Sequence, residues 1–133
     1  MDTTGSRRSK TQNSMSTFVE FSYASAFGAL ESGDLPNAQR LFGIMAMMAP
    51  LDDRAWMGLA TIRERKEQWR EAAGLYGVAT AFSPNSAWCH FAKARCLSRL
   101  NKTTEADAAY ELALSLSQDP TLLAAIEQER GLP

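Results

Sequence analysis

From residue 18 onward, blocks in which apolar residues recur three and four places apart alternate with short polar breaks, the spacing of one-sided helices. The breaks "SGDLP", "KEQW" and "NKTT" fall inside helical hairpins, and the pattern predicts helices near 18–31, 36–49, 53–66, 70–82, 87–100 and 104–117. In the first break Gly33 can take a left-handed conformation, and Asp34 can cap a helix that has Pro36 in its first turn. A last block, "DPTLLAAIEQERG", opens on an Asp cap followed by Pro and ends at Gly131. Leu122, Leu123 and Ile126 give it an apolar side, opposite Glu127, Gln128, Glu129 and Arg130. Residues 1–17 have no such periodicity; rich in Ser and Thr, they read as a flexible polar tail whose Arg7, Arg8 and Lys10 aid solubility.

Shifted by 34 residues, the chain matches itself: Ala38, Ala72 and Ala106 align, then Phe42, Tyr76 and Tyr110, while Pro50 meets Pro84. Between Asp53 and Ser86, Trp56, Leu59, Ala60, Ala72, Tyr76, Ala79 and Pro84 occupy the characteristic places of a tetratricopeptide repeat. Small residues at two of these places (Ala26 and Ala38, Ala60 and Ala72, Ala94 and Ala106) let the paired helices approach closely while larger neighbours fill the space beside them. The expected fold is all-α: three tandem tetratricopeptide-like hairpins (about 19–52, 53–86 and 87–118) and a capping helix at about 120–130. Together they form a single domain over 18–130, a right-handed superhelical array with a concave groove.

Composition narrows the function more than it names it. With 45% hydrophobic residues, 22% charged residues and a net charge of -1, the chain has no overall basic field for nucleic acid and no acidic tail. No apolar run approaches the ~20 residues of a membrane span, and no secretory signal opens the chain, so a cytoplasmic protein without stable membrane association is expected. Cys89 and Cys96 would lie ~10 Å apart along one helix, too far for a disulfide, and read as reduced, buried thiols. Cys89 and His90 are adjacent on a helix and point about 100° apart, so they cannot act as nucleophile and base. Asp52 and Asp53 suit a helix start better than a metal, and no Gly-rich phosphate loop is present. No enzyme, metal or cofactor is expected.

The groove of such a stack is lined by the first helix of each pair. Here that means Glu20, Tyr23, Phe27, Leu30 and Glu31; then Arg54, Met57, Thr61, Glu64 and Arg65; then Trp88, Phe91, Arg95, Ser98 and Arg99. In the first repeat the places that should pack inward are small (Ser22, Ser25, Ala29), while Tyr23, Phe27 and Leu30 form a stripe on the groove side. Either the stripe meets a ligand, or the first helix is rotated and buries it. Met57 and Phe91 extend the apolar floor with Trp88 at the rim, a surface for alternate apolar side chains of an extended peptide. The arginines either make the second half of the groove positive or pair with Glu64, Glu67 and Glu71; without interleaved aromatics on the same face they are not nucleic-acid contacts. The candidate contact set is Tyr23, Phe27, Leu30, Met57, Thr61, Trp88, Phe91 and Arg95.

The uncharged run "LFGIMAMMAP" divides under the alignment. Leu41, Phe42, Met45 and Met48 match apolar places in the other repeats and read as core, whereas Met47 aligns with Ala81 and Ser115 at a place that faces water. Ile44 and Met47, with part of Met48, are therefore expected to form a small patch outside the groove for self-association or client contact.

"SGDLPNAQRLF", "DDRAWMGLATIRERKEQWREAAGLYGVAT" and "FAKARCL" resemble the successive signatures of the class II chaperones of type III secretion systems. The similarity spans about residues 18–118 and is most specific from Asp53 to Leu97. It implies a cytoplasmic bacterial protein that holds hydrophobic translocators before export, with a short extended client segment in the groove. The family's aromatic pair falls on Tyr23 and Phe27 and its third-repeat Phe on Phe91, while Leu30 stands where an aromatic is common. It also implies that the first repeat, including Ile44, contributes to a homodimer in some members, although the family's longer leader with an extra helix is represented here by a short polar tail. The alternatives are a cochaperone for a needle or filament subunit and a general adaptor that clamps a C-terminal carboxylate. The clamp needs Asn and Lys where Tyr23, Phe27, Met57 and Thr61 stand.

Overall fold

The computed structural model describes residues 3–131, with side chains from residue 13 onward. The described chain consists of α-helices: α1 (Thr3–Glu31), α2 (Leu35–Met48), α3 (Asp53–Arg65), α4 (Trp69–Phe82), α5 (Ala87–Arg99), α6 (Thr103–Leu116) and α7 (Pro120–Arg130). From residue 18 on, the elements match the periodicity to within a residue or two. Helix α1 differs at its start, since it runs back to Thr3 through the segment that reads as a flexible tail. Among its described side chains, the first buried one is Val19. Once the packed portion has formed, extension adds a hydrogen bond per residue without a new nucleus, and no proline interrupts it. Thr17 Oγ1 donates to the carbonyl of Asn13, 2.8 Å away, in this stretch. A helix that grows from an already packed end needs no buried face of its own.

The hairpin turns repeat as closely as the helices. Gly33, Glu67 and Asn101 all take positive φ (82°, 59° and 61°), at the same place in each repeat. Only the first is a glycine, so the other two turns hold a side chain in the left-handed region that costs roughly 1 kcal/mol. The expected caps are present, Asp34 accepting from Asn37 N, Asp52 from Arg54 N and Asp119 from Thr121 N, and the structure adds Ser86, which accepts from Cys89 N. Between repeats, Trp56 Nε1 donates to the carbonyl of Pro50 at 2.8 Å, and His90 Nε2 lies 2.8 Å from the carbonyl of Pro84. Thirty-four residues apart, the indole and the imidazole thus make one and the same bond. That contact makes His90 a structural residue, whose ring ties the start of α5 to the preceding turn.

The small residues work as the alignment requires. Ala26, Ala38, Ala60, Ala72, Ala94 and Ala106 are all buried where paired helices touch. Around them the core gathers in two clusters. One, built on Phe42, Met45, Ala55 and Ile62, joins the first repeat to α3. The other, built on Tyr76, Phe91, Tyr110, Leu122 and Ile126, joins the last two repeats to α7. Helix α7 covers the far end of the stack, and Arg130 fixes it by reaching Glu111 at 3.0 Å and Asp107 at 3.5 Å while lying over the Tyr110 ring. Cys89 and Cys96 are free and buried. Among the described residues no helix is long and apolar enough to cross a membrane.

Candidate functional site

The concave surface contains a pocket of about 180 Å³ between the first and second repeats, lined by Tyr23, Phe27, Leu30, Phe42, Arg54, Met57, Gly58 and Thr61. Each wall follows from a local choice in the sequence. Tyr23 and Phe27 are one helical turn apart on α1, their ring centroids 6.0 Å from one another. Phe27 remains 45% exposed, so α1 is not rotated to hide the stripe. Leu30 departs from expectation: it is buried, forming the back of the pocket and part of the core together. The floor is Phe42, whose ring lies against Gly58 so closely that a Cβ there would overlap it. At the place of Phe42 the later repeats carry Tyr76 and Tyr110. The missing hydroxyl leaves this pocket apolar at its base.

Arg54 closes one side. Its guanidinium stands 4.6 Å from the Tyr23 ring centroid and donates to both Glu20 (2.7 and 3.0 Å) and Asp52 (2.7 and 3.0 Å). Both carboxyls are thereby held below their ordinary values, chiefly by the Arg54 hydrogen bonds, and the Arg54 guanidinium is raised by the same bonds. Two carboxylates share one guanidinium, so this end of the groove is acidic rather than basic. Further along, Arg65 Nη1 donates to the Leu30 carbonyl at 2.6 Å, Arg95 pairs with Glu64, and Arg99 approaches Glu129 at 3.7 Å. Of the two alternatives for the arginines, a positive groove or pairing, the structure has them tied to acceptors. Of the acids expected to pair with them, only Glu64 does so, and the others used are Glu20, Asp52 and Glu129. Arginine's length lets it reach a neighbouring repeat, which spacing along a single helix does not reveal.

The expected contact set therefore splits. Tyr23, Phe27, Leu30, Met57 and Thr61 come together in the pocket. Phe91 does not join them; it is only 3% exposed, packed edge-on to Trp88 at 5.9 Å and beside Tyr110 at 6.2 Å, with the Arg95 guanidinium 5.1 Å from its centroid. Trp88 is 43% exposed at the rim. Thr61 is engaged with Tyr76, whose hydroxyl donates to Glu64 at 2.9 Å; burial raises the Tyr76 hydroxyl pKa far above its usual value and keeps it protonated. Arg54, a groove place by its spacing, and Phe42 and Gly58, which the spacing did not mark, complete the pocket. The Phe-for-Tyr exchange at position 42 in the repeat alignment was the available signal.

Outside the groove, Met47 is 83% exposed, and Ile44 and Met48 are exposed beside it. Phe42 and Met45 are core as expected, but Met48 is not. Val78 and Leu112, at the place of Ile44, are exposed like it, which leaves Met47 as the unusual member of the patch. Phe21 escapes the sequence reading: it is 70% exposed, while the residues at its place in the later repeats, Ala55 and Cys89, are fully buried. In the later repeats the preceding hairpin packs over that place, and among the described residues nothing covers it in the first.

No family model matches the chain. Over 102 residues it is 28% identical to the chaperone protein SicA of Salmonella typhimurium, a match covering 77% of this chain and 62% of SicA, so the chain spans less than two thirds of the curated relative. The Yersinia enterocolitica type III secretion chaperone SycD, solved in complex with a peptide of the translocator YopD, superposes with a TM-score of 0.72 at 24% identity, covering 84% of this chain and 93% of SycD. The TPR2B domain of yeast Sti1, solved with an Hsp70 peptide, superposes with a TM-score of 0.78 at 19% identity, covering 85% of this chain and 93% of the domain. The fold is a tetratricopeptide-type helical stack. In sequence the chain resembles the type III secretion chaperones.

Proposed function

We propose that the chain is a type III secretion chaperone that holds an extended apolar segment of a hydrophobic translocator in its groove until export. The observation that carries this reading is the pocket between the first two repeats, where Tyr23, Phe27, Leu30, Phe42 and Met57 offer an apolar cavity in a groove whose arginines are tied to acceptors. A cavity of about 180 Å³ suits one large aliphatic or aromatic side chain. The likeness to SicA and the peptide-bound state of SycD support assigning it to a translocator segment. Of the expected contact residues, Tyr23, Phe27, Leu30, Met57 and Thr61 form this anchor site and Trp88 offers a rim contact, while Phe91 and Arg95 lie outside the pocket, packed on one another in the third repeat.

Such a protein acts by binding rather than turnover, masking a segment that would otherwise aggregate, and the place for that work is the bacterial cytoplasm. The carboxylate-clamp alternative loses ground on one feature: the groove arginine nearest the pocket, Arg54, already holds two carboxylates of this chain. Replacing Tyr23 and Phe27 together by alanine should weaken a translocator peptide by roughly 2–4 kcal/mol, the scale of buried aromatic anchors, with helix content by circular dichroism unchanged. Unaltered affinity in titration calorimetry would refute the groove assignment.

A further inference from the structure

The groove is interrupted. Tyr23, Met57 and Phe91 occupy the same place in successive repeats, yet only the first two line open space. Between them and Phe91 runs a polar bridge from α5 back to α3. Arg95 Nε donates to Glu64 Oε2 and Arg95 Nη2 to Glu64 Oε1 at 2.8 Å. Glu64 Oε1 also accepts from the Tyr76 hydroxyl at 2.9 Å, and the hydroxyl oxygen lies 3.1 Å from Thr61 Oγ1. The guanidinium lies over the Phe91 ring, 5.1 Å from its centroid. Both charged side chains are mostly shielded from water, 14% exposed for Glu64 and 27% for Arg95.

We propose that the Glu64–Arg95 bridge is the specificity element of this groove, restricting it to segments anchored by one large apolar side chain. The proposal rests on the peptide-binding reading above and adds to it the class of segment accepted. The anchor enters the pocket between the first two repeats; the residues that follow cross a neutral, hydrogen-bonded surface and gain nothing from being apolar. A second apolar anchor would have to displace the guanidinium from Phe91, leaving the Glu64 carboxylate shielded from water without its partner, a strongly unfavourable state. An acidic residue there would set two carboxylates against one guanidinium. Small or neutral polar residues avoid both penalties.

The test uses the full chain and three capped peptides of Ala, Ser and Thr: one without Leu, one with a single Leu, and one with a second Leu about three residues on. That is the reach of extended chain over one ~10 Å helix spacing. Titrations followed by NMR should show the single-Leu and double-Leu peptides binding the native protein within twofold of each other. A double variant, Glu64→Gln with Arg95→Gln, should bind the double-Leu peptide at least tenfold more tightly than the single-Leu one, because the charges holding the guanidinium over Phe91 are gone. A tenfold preference of the native protein for the double-Leu peptide would overturn the proposal, as would a folded double variant without that preference. The native comparison decides the matter alone if the double variant does not fold. Failure of the underlying reading looks different: the peptide without Leu would bind as well as the others, or Tyr23→Ala with Phe27→Ala would leave single-Leu binding intact.

Discussion

The Phe42 ring fills the space that a side chain at Gly58 would need, and so a residue of α2 reaches the floor of a groove formed by α1 and α3. Gly58→Ala should therefore act twice. The added methyl must displace a fully buried aromatic, an overpacking cost of about 1–3 kcal/mol that chemical denaturation would register as a lower midpoint at unchanged slope. The displaced ring should also narrow the pocket and weaken peptide binding. Gly74, with open space around its missing side chain, is the control: Gly74→Ala should be neutral or slightly stabilising.

Arg54 links the first repeat to the second through two carboxylates, and the link has a pH signature. Glu20 and Asp52 both have folded-state pKa values below the unfolded ones, mainly through hydrogen bonds from Arg54. Their contribution to stability is thus complete above the unfolded value of about 4 and is lost as pH falls through the folded values. Asp52→Asn keeps a capping side chain but removes one of the two groups. Its unfolding free energy should change less steeply with pH below about 4 than that of the native protein. Equal slopes would mean that the ion pair does not form in solution.

Burial pushes the Cys89 thiol up to about 11 and the Cys96 thiol up to about 12. At neutral pH neither supplies appreciable thiolate, the form that attacks disulfide reagents. Ellman's reagent should accordingly find almost no reactive thiol in the folded protein and two after denaturation. Fast reaction of either cysteine in native buffer would contradict the packing around α5.

Much of this was legible in the sequence because the repeat carries most of the information. A place aligned in three units, such as Ala38, Ala72 and Ala106, reports its own burial. What the alignment could not convey was the path of long side chains. Phe91 occupies a groove place by every count, yet Arg95, one helical turn on, folds across it to reach Glu64 in the preceding repeat. Phe21 is the opposite case: the alignment does contain the signal, an aromatic against Ala55 and Cys89, but spacing does not tell whether a neighbouring helix covers that place. The backward extension of α1 is a third kind of miss, since a helix that propagates from a packed segment leaves no apolar periodicity behind.

Among the described residues Met47 is the most exposed of the large apolar ones, at a place where the other repeats carry Ala81 and Ser115. An unbranched side chain of this kind costs solubility and contributes nothing to the core, which is reason to assign it a contact outside the chain. Ile44 and Met48 beside it, also exposed, give that contact an apolar border, and a second copy of the chain is the occupant proposed for it. Met47→Glu adds a charge at a site open to water and should leave thermal stability within about 0.5 kcal/mol of the native value. In a self-associated protein the same substitution should lower the mass measured by light scattering to that of a single chain, because a carboxylate cannot be desolvated against its own copy across a two-fold interface. If mass and stability both stay constant, the patch plays no part in self-association, and Met47 is only an exposed methionine.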